Sequence, residues 1–348
     1  MTDLPERRRR VLALLGAAER LRDSSDPLGI QARLELPAST GLSRANVAIG
    51  LERCLETDAD DPSLERLCRS APTALRAHVV LPSNVFTAPL RAIAVALASS
   101  PHVLVRPSRR EPVLVRLLAQ AAPASFRVVA ALAPEPGDHV WAFGTGTTLD
   151  EIGSSVGPEI VLHANGPGFG VAVWDPTVLD AGAAARRIVD DVVPFDQRGC
   201  LSPLVVLVVG RQEAATGLAE RLARELAERE GEVPVGHITE AEAAERTRWR
   251  DTLRYAGSVM AAGSGFVGRL DHGAWRLPPP GRNVLVVAVT DTQRILERAG
   301  DVVAVGAAVS APREAELRAL LPGVRWSALG AMQTPPLDGP VDLRPRVR

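Results

Sequence analysis

From Arg76 onward, short runs rich in Val, Leu and Ile alternate with helix-length stretches, and few folds accept that pattern. Arg76–Leu81 reads as a strand. Thr87–Ser99 reads as a helix with Leu90, Ile93, Ala94 and Leu97 on one face. Val103–Val105 is a strand, Pro112–Ala121 a helix, and Phe126–Leu132 and His139–Phe143 are strands. A second block has strands at Ile160–His163 and Gly170–Trp174, then a helix capped by Thr177 that runs to about Val192. Strand Leu204–Val209, helix Gln212–Glu230, strand Val284–Val289, a helix near Thr292–Ala299, strand Val302–Val305 and helix Pro312–Leu321 follow. Strands separated by helices form βαβ units and a mostly parallel sheet with both faces covered. At 348 residues the chain exceeds one ordinary domain. The predicted fold class is α/β, with two Rossmann-like three-layer α/β/α domains and a helical N-terminal region over residues 1–75.

Composition excludes several function classes. Net charge is -1, so nothing in the bulk charge invites nucleic acid. All 40 basic residues are arginine, which rules out a lysine Schiff base and a P-loop lysine. The three cysteines, Cys54, Cys68 and Cys200, stand in no metal-binding spacing, and His78, His102, His139, His163, His237 and His272 are scattered. Arg7–Arg10 followed by Val11–Leu15 is interrupted by charge at Glu19, Arg20 and Arg22 too early for a signal peptide. No apolar run reaches membrane-spanning length, and the expected location is the cytoplasm. Leu277-Pro278-Pro279-Pro280-Gly281 reads as a rigid loop rather than a domain linker.

One cysteine stands apart. Phe195-Asp196-Gln197-Arg198-Gly199-Cys200-Leu201-Ser202-Pro203 places Cys200 in a polar, Gly-containing turn just before an apolar strand. A thiol in a tight turn at the edge of a core strand is well placed for nucleophilic attack. The alternative is a half-buried packing cysteine. Cys54 and Cys68 lie in apolar helical patterns and read as structural.

Four other stretches fall at strand ends. Leu81-Pro82-Ser83-Asn84 puts a side-chain amide where it can donate to an oxyanion. Arg106-Pro107-Ser108-Arg109-Arg110 is a cationic loop leading into a helix. Phe143-Gly144-Thr145-Gly146-Thr147-Thr148 opens a helix with backbone N–H groups suited to phosphate. His163-Ala164-Asn165-Gly166-Pro167-Gly168 is a glycine-rich bend where backbone can approach a ligand. Each has an ordinary reading as well: a turn asparagine, a solvated charged loop, a glycine turn, a packed histidine.

Taken in order, these stretches resemble the aldehyde dehydrogenase superfamily, and most of all its acyl-CoA reductase branch, which includes the fatty-acid reductase subunit of bacterial luminescence. That branch carries an Asp-Gln-x-x-Cys-x-Ser-Pro segment, matched by Asp196, Gln197, Cys200, Ser202 and Pro203. The ending Leu337-Asp338-Gly339-Pro340-Val341-Asp342-Leu343 is similar to its Asp-Gly…Leu pattern. The resemblance covers residues 76–210 well and the remainder loosely. It implies an aldehyde-dehydrogenase-like fold, with a dinucleotide-binding domain at 76–192 joined by 325–348 and a catalytic domain at 193–324. It implies that Cys200 attacks a thioester of coenzyme A or of an acyl-carrier protein, that Asn84 and the Cys200 N–H hold the oxyanion, and that a nicotinamide cofactor reduces the acyl group to an aldehyde. Arg106, Ser108, Arg109, Gly144, Thr145, Gly146, Thr147 and Gly166 are then the expected cofactor-binding residues.

Departures from the family pattern sharpen the expectation. His163 stands at or near the position of the glutamate that activates water in aldehyde-oxidising members, so reduction of a thioester is favoured over release of an acid, with His163 a candidate for proton transfer. Arg109 and Arg110 follow Arg106-Pro107-Ser108 where NAD users often carry an acidic residue, and arginine suits a 2′-phosphate, which points to NADPH. No Glu-x-Phe-Gly-Pro element is evident, and the chain after Cys200 is short for the family. The competing readings are an aldehyde-oxidising dehydrogenase, a catalytically degenerate binding or scaffold protein, and a glutamyl-phosphate-type reductase. Oligomeric state is left open, a homo-oligomer included.

Overall fold

In a computed structural model of the chain, residues 4–270, 276–290 and 299–344 are described. The contacts divide it into two compact units: residues 1–167 with 336–341 and 345–348, and residues 168–335 with 342–344.

The first unit is built on a five-stranded parallel sheet in the order β3-β2-β1-β4-β5. Its strands are β1 (Ala77–Val80), β2 (Val103–Arg106), β3 (Arg127–Val128), β4 (His139–Phe143) and β5 (Val161–Asn165). Helix α5 (Ala88–Ser99) joins β1 to β2, α6 (Val113–Ala121) joins β2 to β3, and α7 (Gly146–Ser155) joins β4 to β5. Strand order therefore reverses between β1 and β4, the place where open α/β sheets bind ligands. Leu149 of α7 packs on Val80, Val140 and Ala142 beneath it. Four N-terminal helices, α1 (Leu4–Arg22), α2 (Pro27–Thr40), α3 (Arg44–Ile49) and α4 (Asp61–Ser70), belong to this unit, α1 and α2 lying against α5 and α6. Buried Arg7 fixes α1 by donating to the carbonyls of Cys68 and Ala71.

The second unit has a seven-stranded sheet in the order β12-β11-β6-β7-β10-β9-β8, parallel except for the β8–β9 hairpin. Its strands are β6 (Phe169–Trp174), β7 (Pro203–Val209), β8 (Gly257–Ala262), β9 (Gly265–Leu270), β10 (Val284–Val289), β11 (Val302–Ala308) and β12 (Arg325–Ala328). Central β7 and β10 are nearly all Val and Leu, as strands covered on both faces must be. Val205, Leu207, Leu285 and Val287 meet Trp249 and Leu253 of α10 (Glu240–Ala256) and Leu317 of α11 (Ala311–Leu320). Helix α8 (Ala181–Val192) packs on α9 (Gln212–Glu232), which lies on β8, β9 and β10. Each fully buried Val or Leu side chain contributes roughly 1.5–3 kcal/mol.

Several elements differ from expectation. The expected domain boundary at 192/193 falls inside the second unit, because β6 pairs with β7 and β11 rather than with the first sheet. For the same reason β12, paired with β11, lies in the second unit. Of the strand expected over Phe126–Leu132, only Arg127–Val128 pairs, at the sheet edge. Helix α8 is capped by Asp180, whose carboxylate accepts from the Ala183 N–H; Thr177 instead donates its hydroxyl to Asp175. Helix α10, the β8–β9 hairpin and β12 were not anticipated. The helix expected near Thr292–Ala299 lies almost wholly outside the described residues, as does His272.

Candidate active site

Parallel pairing brings all four strand-end motifs of the first unit to one edge of its sheet. Asn84 is an exposed loop residue beyond β1, Arg106 ends β2 and Pro107–Arg110 follow it, Gly144–Thr148 follow β4, and Gly166 follows β5. The loops after β1 and β4 flank the reversal of strand order. At the start of α7, Thr145 caps the helix by accepting from the Thr148 N–H at 3.4 Å. At Gly144 a Cβ would lie 3.0 Å from Thr148 Cγ2, a tight approach to which the threonine side chain would have to yield. At Gly146 a Cβ would meet nothing within 4 Å, so the first turn of α7 stands open, with its leading N–H groups outside the helical ladder.

The cationic loop has one acidic residue, and it is turned inward. Glu111 is buried and caps α6, accepting from the N–H groups of Val113 and Leu114 at 2.8 and 3.1 Å. Burial pushes its carboxyl above the usual carboxylate range, against those two bonds. Arg109 and Arg110 are exposed and Arg106 is half-buried, and no guanidinium of the three makes a hydrogen bond or ion pair to another described residue. Ser108 accepts from the Arg110 N–H at 3.2 Å. This edge thus offers cations and backbone donors without a competing carboxylate, the donor chemistry that an anionic dinucleotide needs.

His163 lies within β5, before the strand's end. Its ring stacks on Trp141 at 4.4 Å between centroids and 11° between planes, and its Nε2 lies 3.1 Å from His139 Nδ1. Burial, then the neighbouring His139, lower its pKa to about 4, and burial also lowers that of His139. His163 is neutral at pH 7 and held by ring packing.

In the second unit Cys200 is the first corner of a tight turn, in which the Ser202 N–H donates to the Gly199 carbonyl at 3.1 Å. The turn leads directly into β7 and is half-buried at the thiol. The amino ends of four parallel strands gather there: Pro203 of β7, Asn283 before β10, Gly170 in β6 and Asp301 before β11. Gly170 is obligatory, because a Cβ would lie 2.6 Å from the Leu201 carbonyl oxygen and 2.8 Å from that of Ser202. Gly168 faces Val303, the Asp301 carbonyl and the Arg344 guanidinium in the same way. These two glycines of the bend serve internal packing. Arg344, whose pKa burial lowers, is drawn back up by attraction to Cys200 and Asp301.

Three residues upstream, Phe195, Asp196 and Gln197, have φ of 56°, 50° and 63°. Non-glycine residues in that region cost about 1–3 kcal/mol each. Sequence reasoning matched Asp196 and Gln197 to a motif without a role; the partners that give them one, Arg282 and Asn283, were missed. A lone Arg-Asn after a Pro-Gly loop reads as solvated surface, and only the strand pairing brings it here.

The acyl-CoA reductase (LuxC) family model matches residues 43–308, well over half of the chain. The chain belongs to that family. The fold is similar to that of an NAD-dependent benzaldehyde dehydrogenase from Corynebacterium glutamicum (TM-score 0.68, 15% identity, 92% of this chain and 81% of that one). It is similar as well to a gamma-glutamyl-gamma-aminobutyraldehyde dehydrogenase from Burkholderia cenocepacia J2315 (TM-score 0.66, 17% identity, 92% and 76%). A lactaldehyde dehydrogenase matches comparably (TM-score 0.67, 14% identity, 93% and 78%). No curated protein matches the chain. The LuxC-family protein thus has the aldehyde-dehydrogenase-like α/β fold and is an oxidoreductase acting on the aldehyde or oxo group, and its family acts on acyl thioesters. No helix among its described residues is long and apolar enough to cross a membrane, and those residues contain no group of three or more His, Cys, Asp or Glu arranged to hold a metal ion.

Proposed function

We propose that the protein reduces an acyl thioester, carried by coenzyme A or an acyl-carrier protein, to the aldehyde with NADPH, through an acyl group held on Cys200. The observation that carries this reading is the Cys200 turn: a half-buried thiol at the entrance of a central strand, in a turn closed by the Ser202 N–H on the Gly199 carbonyl. The Cys200 thiolate attacks the thioester carbonyl, the C–S bond to the carrier breaks, and the carrier thiolate leaves and takes up a proton. Asn84 and the Cys200 N–H are the proposed donors to the oxyanion. When bound, the reduced nicotinamide dinucleotide supplies the hydride. Collapse of the resulting adduct expels the aldehyde and restores the Cys200 thiolate.

Arg106, Ser108 and Arg109 are the proposed contacts for the adenosine ribose and its 2′-phosphate, with Gly144, Thr145, Gly146 and Thr147 for the pyrophosphate and Gly166 beside them. The inward turn of Glu111 supports NADPH over NADH, because no carboxylate is left in that loop for the ribose hydroxyls. We assign His163 to packing of β5 rather than to proton transfer, since it stacks on Trp141 in its neutral form. Without a water-activating carboxylate at that place, release of an acid is disfavoured.

The test is anaerobic NADPH oxidation with a panel of acyl-CoA thioesters, with Cys200→Ala in parallel. Aldehyde formed by the wild type and lost in the variant is the expected result. NADPH binding without turnover on any thioester, carrier-bound ones included, would favour a binding protein, and absence of NADPH binding would overturn the cofactor assignment.

A further inference from the structure

The left-handed run Phe195–Gln197 is wholly buried, so its strained backbone is held by its partners or not at all. Those partners come mostly from the entrance of the neighbouring strand. Arg282, 1% exposed, donates Nε and Nη2 to Asp196 Oδ1 at 3.2 and 2.8 Å, while its Nη1 donates to the Val233 carbonyl at 2.7 Å. The second Asp196 oxygen accepts from the Gly236 N–H at 2.9 Å, and the Asp196 carbonyl accepts from the Gly281 N–H at 3.0 Å. Gln197 donates Nε2 to the carbonyls of Pro203 and Asn283, both at 2.8 Å, and its Oε1 accepts from the Asn283 N–H at 2.8 Å. Its amide thus pins the entrances of β7 and β10 together, on either side of the turn that ends in Pro203. Arg198 adds a third tie, donating to the His237 carbonyl at 2.9 Å.

Through these bonds the Arg282–Asp196 pair fastens three pieces of chain at one point: the run leading to Cys200, the entrance of β10, and the connection between α9 and α10 around Val233, Gly236 and His237. A buried ion pair of this kind adds little to stability over an apolar pair of the same size. It does fix direction, because two fixed N–H groups of the planar guanidinium converge on one Asp196 oxygen while the Gly236 N–H holds the other. We propose that Arg282 is a positioning residue for Cys200: through Asp196 it holds the left-handed run in the one conformation that presents the thiol to the acyl carbonyl. This rests on the reading of Cys200 as the acyl-bearing nucleophile. The chemistry stays with Cys200, and Arg282 touches no reacting atom.

The experiment compares wild type, Arg282→Lys and the paired Asp196→Asn/Arg282→Gln variant. Lysine keeps the charge and loses the fork; the paired change removes both charges and leaves no lone buried ion. Two readouts are taken at a temperature where thermal melts show each protein folded: the rate of Cys200 alkylation by iodoacetamide, mapped by mass spectrometry, and kcat and KM on the best acyl-CoA of the panel. A shift of a reacting group by about an ångström costs up to about a hundredfold in rate. Arg282→Lys is expected to slow alkylation and kcat together by about tenfold or more, with KM for the thioester within about threefold. Both rates within twofold of wild type in a folded variant, or a fall in one without the other, would overturn the proposal. If Arg282→Lys does not fold, the paired variant is judged by the same criteria. Turnover that survives Cys200→Ala would sink the nucleophile reading instead, and alkylation alone would then decide whether Arg282 positions the thiol.

Discussion

Gly170 and Ser202 share one hydrogen bond, from the Gly170 N–H to the Ser202 carbonyl at 3.1 Å, and it ties the cysteine turn to the first residues of β6. The approach leaves no room for a side chain. Gly170→Ala is expected to displace the turn, destabilise the protein by about 1–3 kcal/mol and lower activity by more than tenfold. Gly166→Ala is the control, since its Cβ would come no closer than 3.6 Å to Leu149 Cδ1, and it is expected to stay within about 0.5 kcal/mol. Urea denaturation of both checks this; equal losses would remove the steric account.

The burial of His163, with His139 beside it, makes stability depend on pH. The folded pKa is lowered, so below about pH 6.5 the unfolded chain takes up a proton that the folded chain refuses until about pH 4. The contribution is complete above pH 6.5 and is lost as pH falls toward 4. His163→Phe keeps the ring contact and removes the titration, and it is expected to flatten the fall in urea midpoint between pH 7.5 and 5 while thioester reduction persists. An unchanged slope would assign the acid sensitivity to other groups.

Cofactor preference is expected to follow the cationic loop. Arg109→Glu should lower the NADPH-to-NADH ratio of kcat/KM by at least about tenfold, through loss of a charge-assisted contact and repulsion of the 2′-phosphate. Steady-state kinetics with both cofactors decides it, and an unchanged ratio would refute the assignment.

Arg344 is expected to favour the thiolate. In Arg344→Gln the attraction is gone, so the pH midpoint of Cys200 alkylation should move upward and the rate at pH 7 should fall. A profile superimposable on wild type would show that the guanidinium is too well screened to matter.

Much of the architecture was legible because parallel strands buried on both faces leave a plain apolar signal. His139–Phe143 and Val284–Val289 were read with the bounds they have. The β8–β9 hairpin was not legible, for Gly257, Gly263, Gly265 and Gly268 dilute its apolar pattern. Those glycines answer to neighbours distant in sequence: Gly268 leaves space for Leu253 and Trp249 of α10. The Cys200 turn could be read from local composition, whereas its supports could not. Arg282 and Asn283 stand more than 80 residues away, and only the register of β7 against β10 brings them to Asp196 and Gln197. His163 was visible as a titratable group near a glycine bend, but its stacking partner sits on another strand.

The left-handed run before Cys200 bears on how this site can be moved between scaffolds. A graft of Pro194–Pro203 alone would carry three residues in unfavourable backbone geometry and leave behind Arg282, Asn283, Gly236 and Gly170. Such a peptide would relax to ordinary dihedrals and lose its shape. The smallest portable unit is the entrances of β6, β7 and β10 with the α9–α10 connection, so recombination that cuts between β7 and β10 is expected to yield chains with the cysteine and without its reactivity.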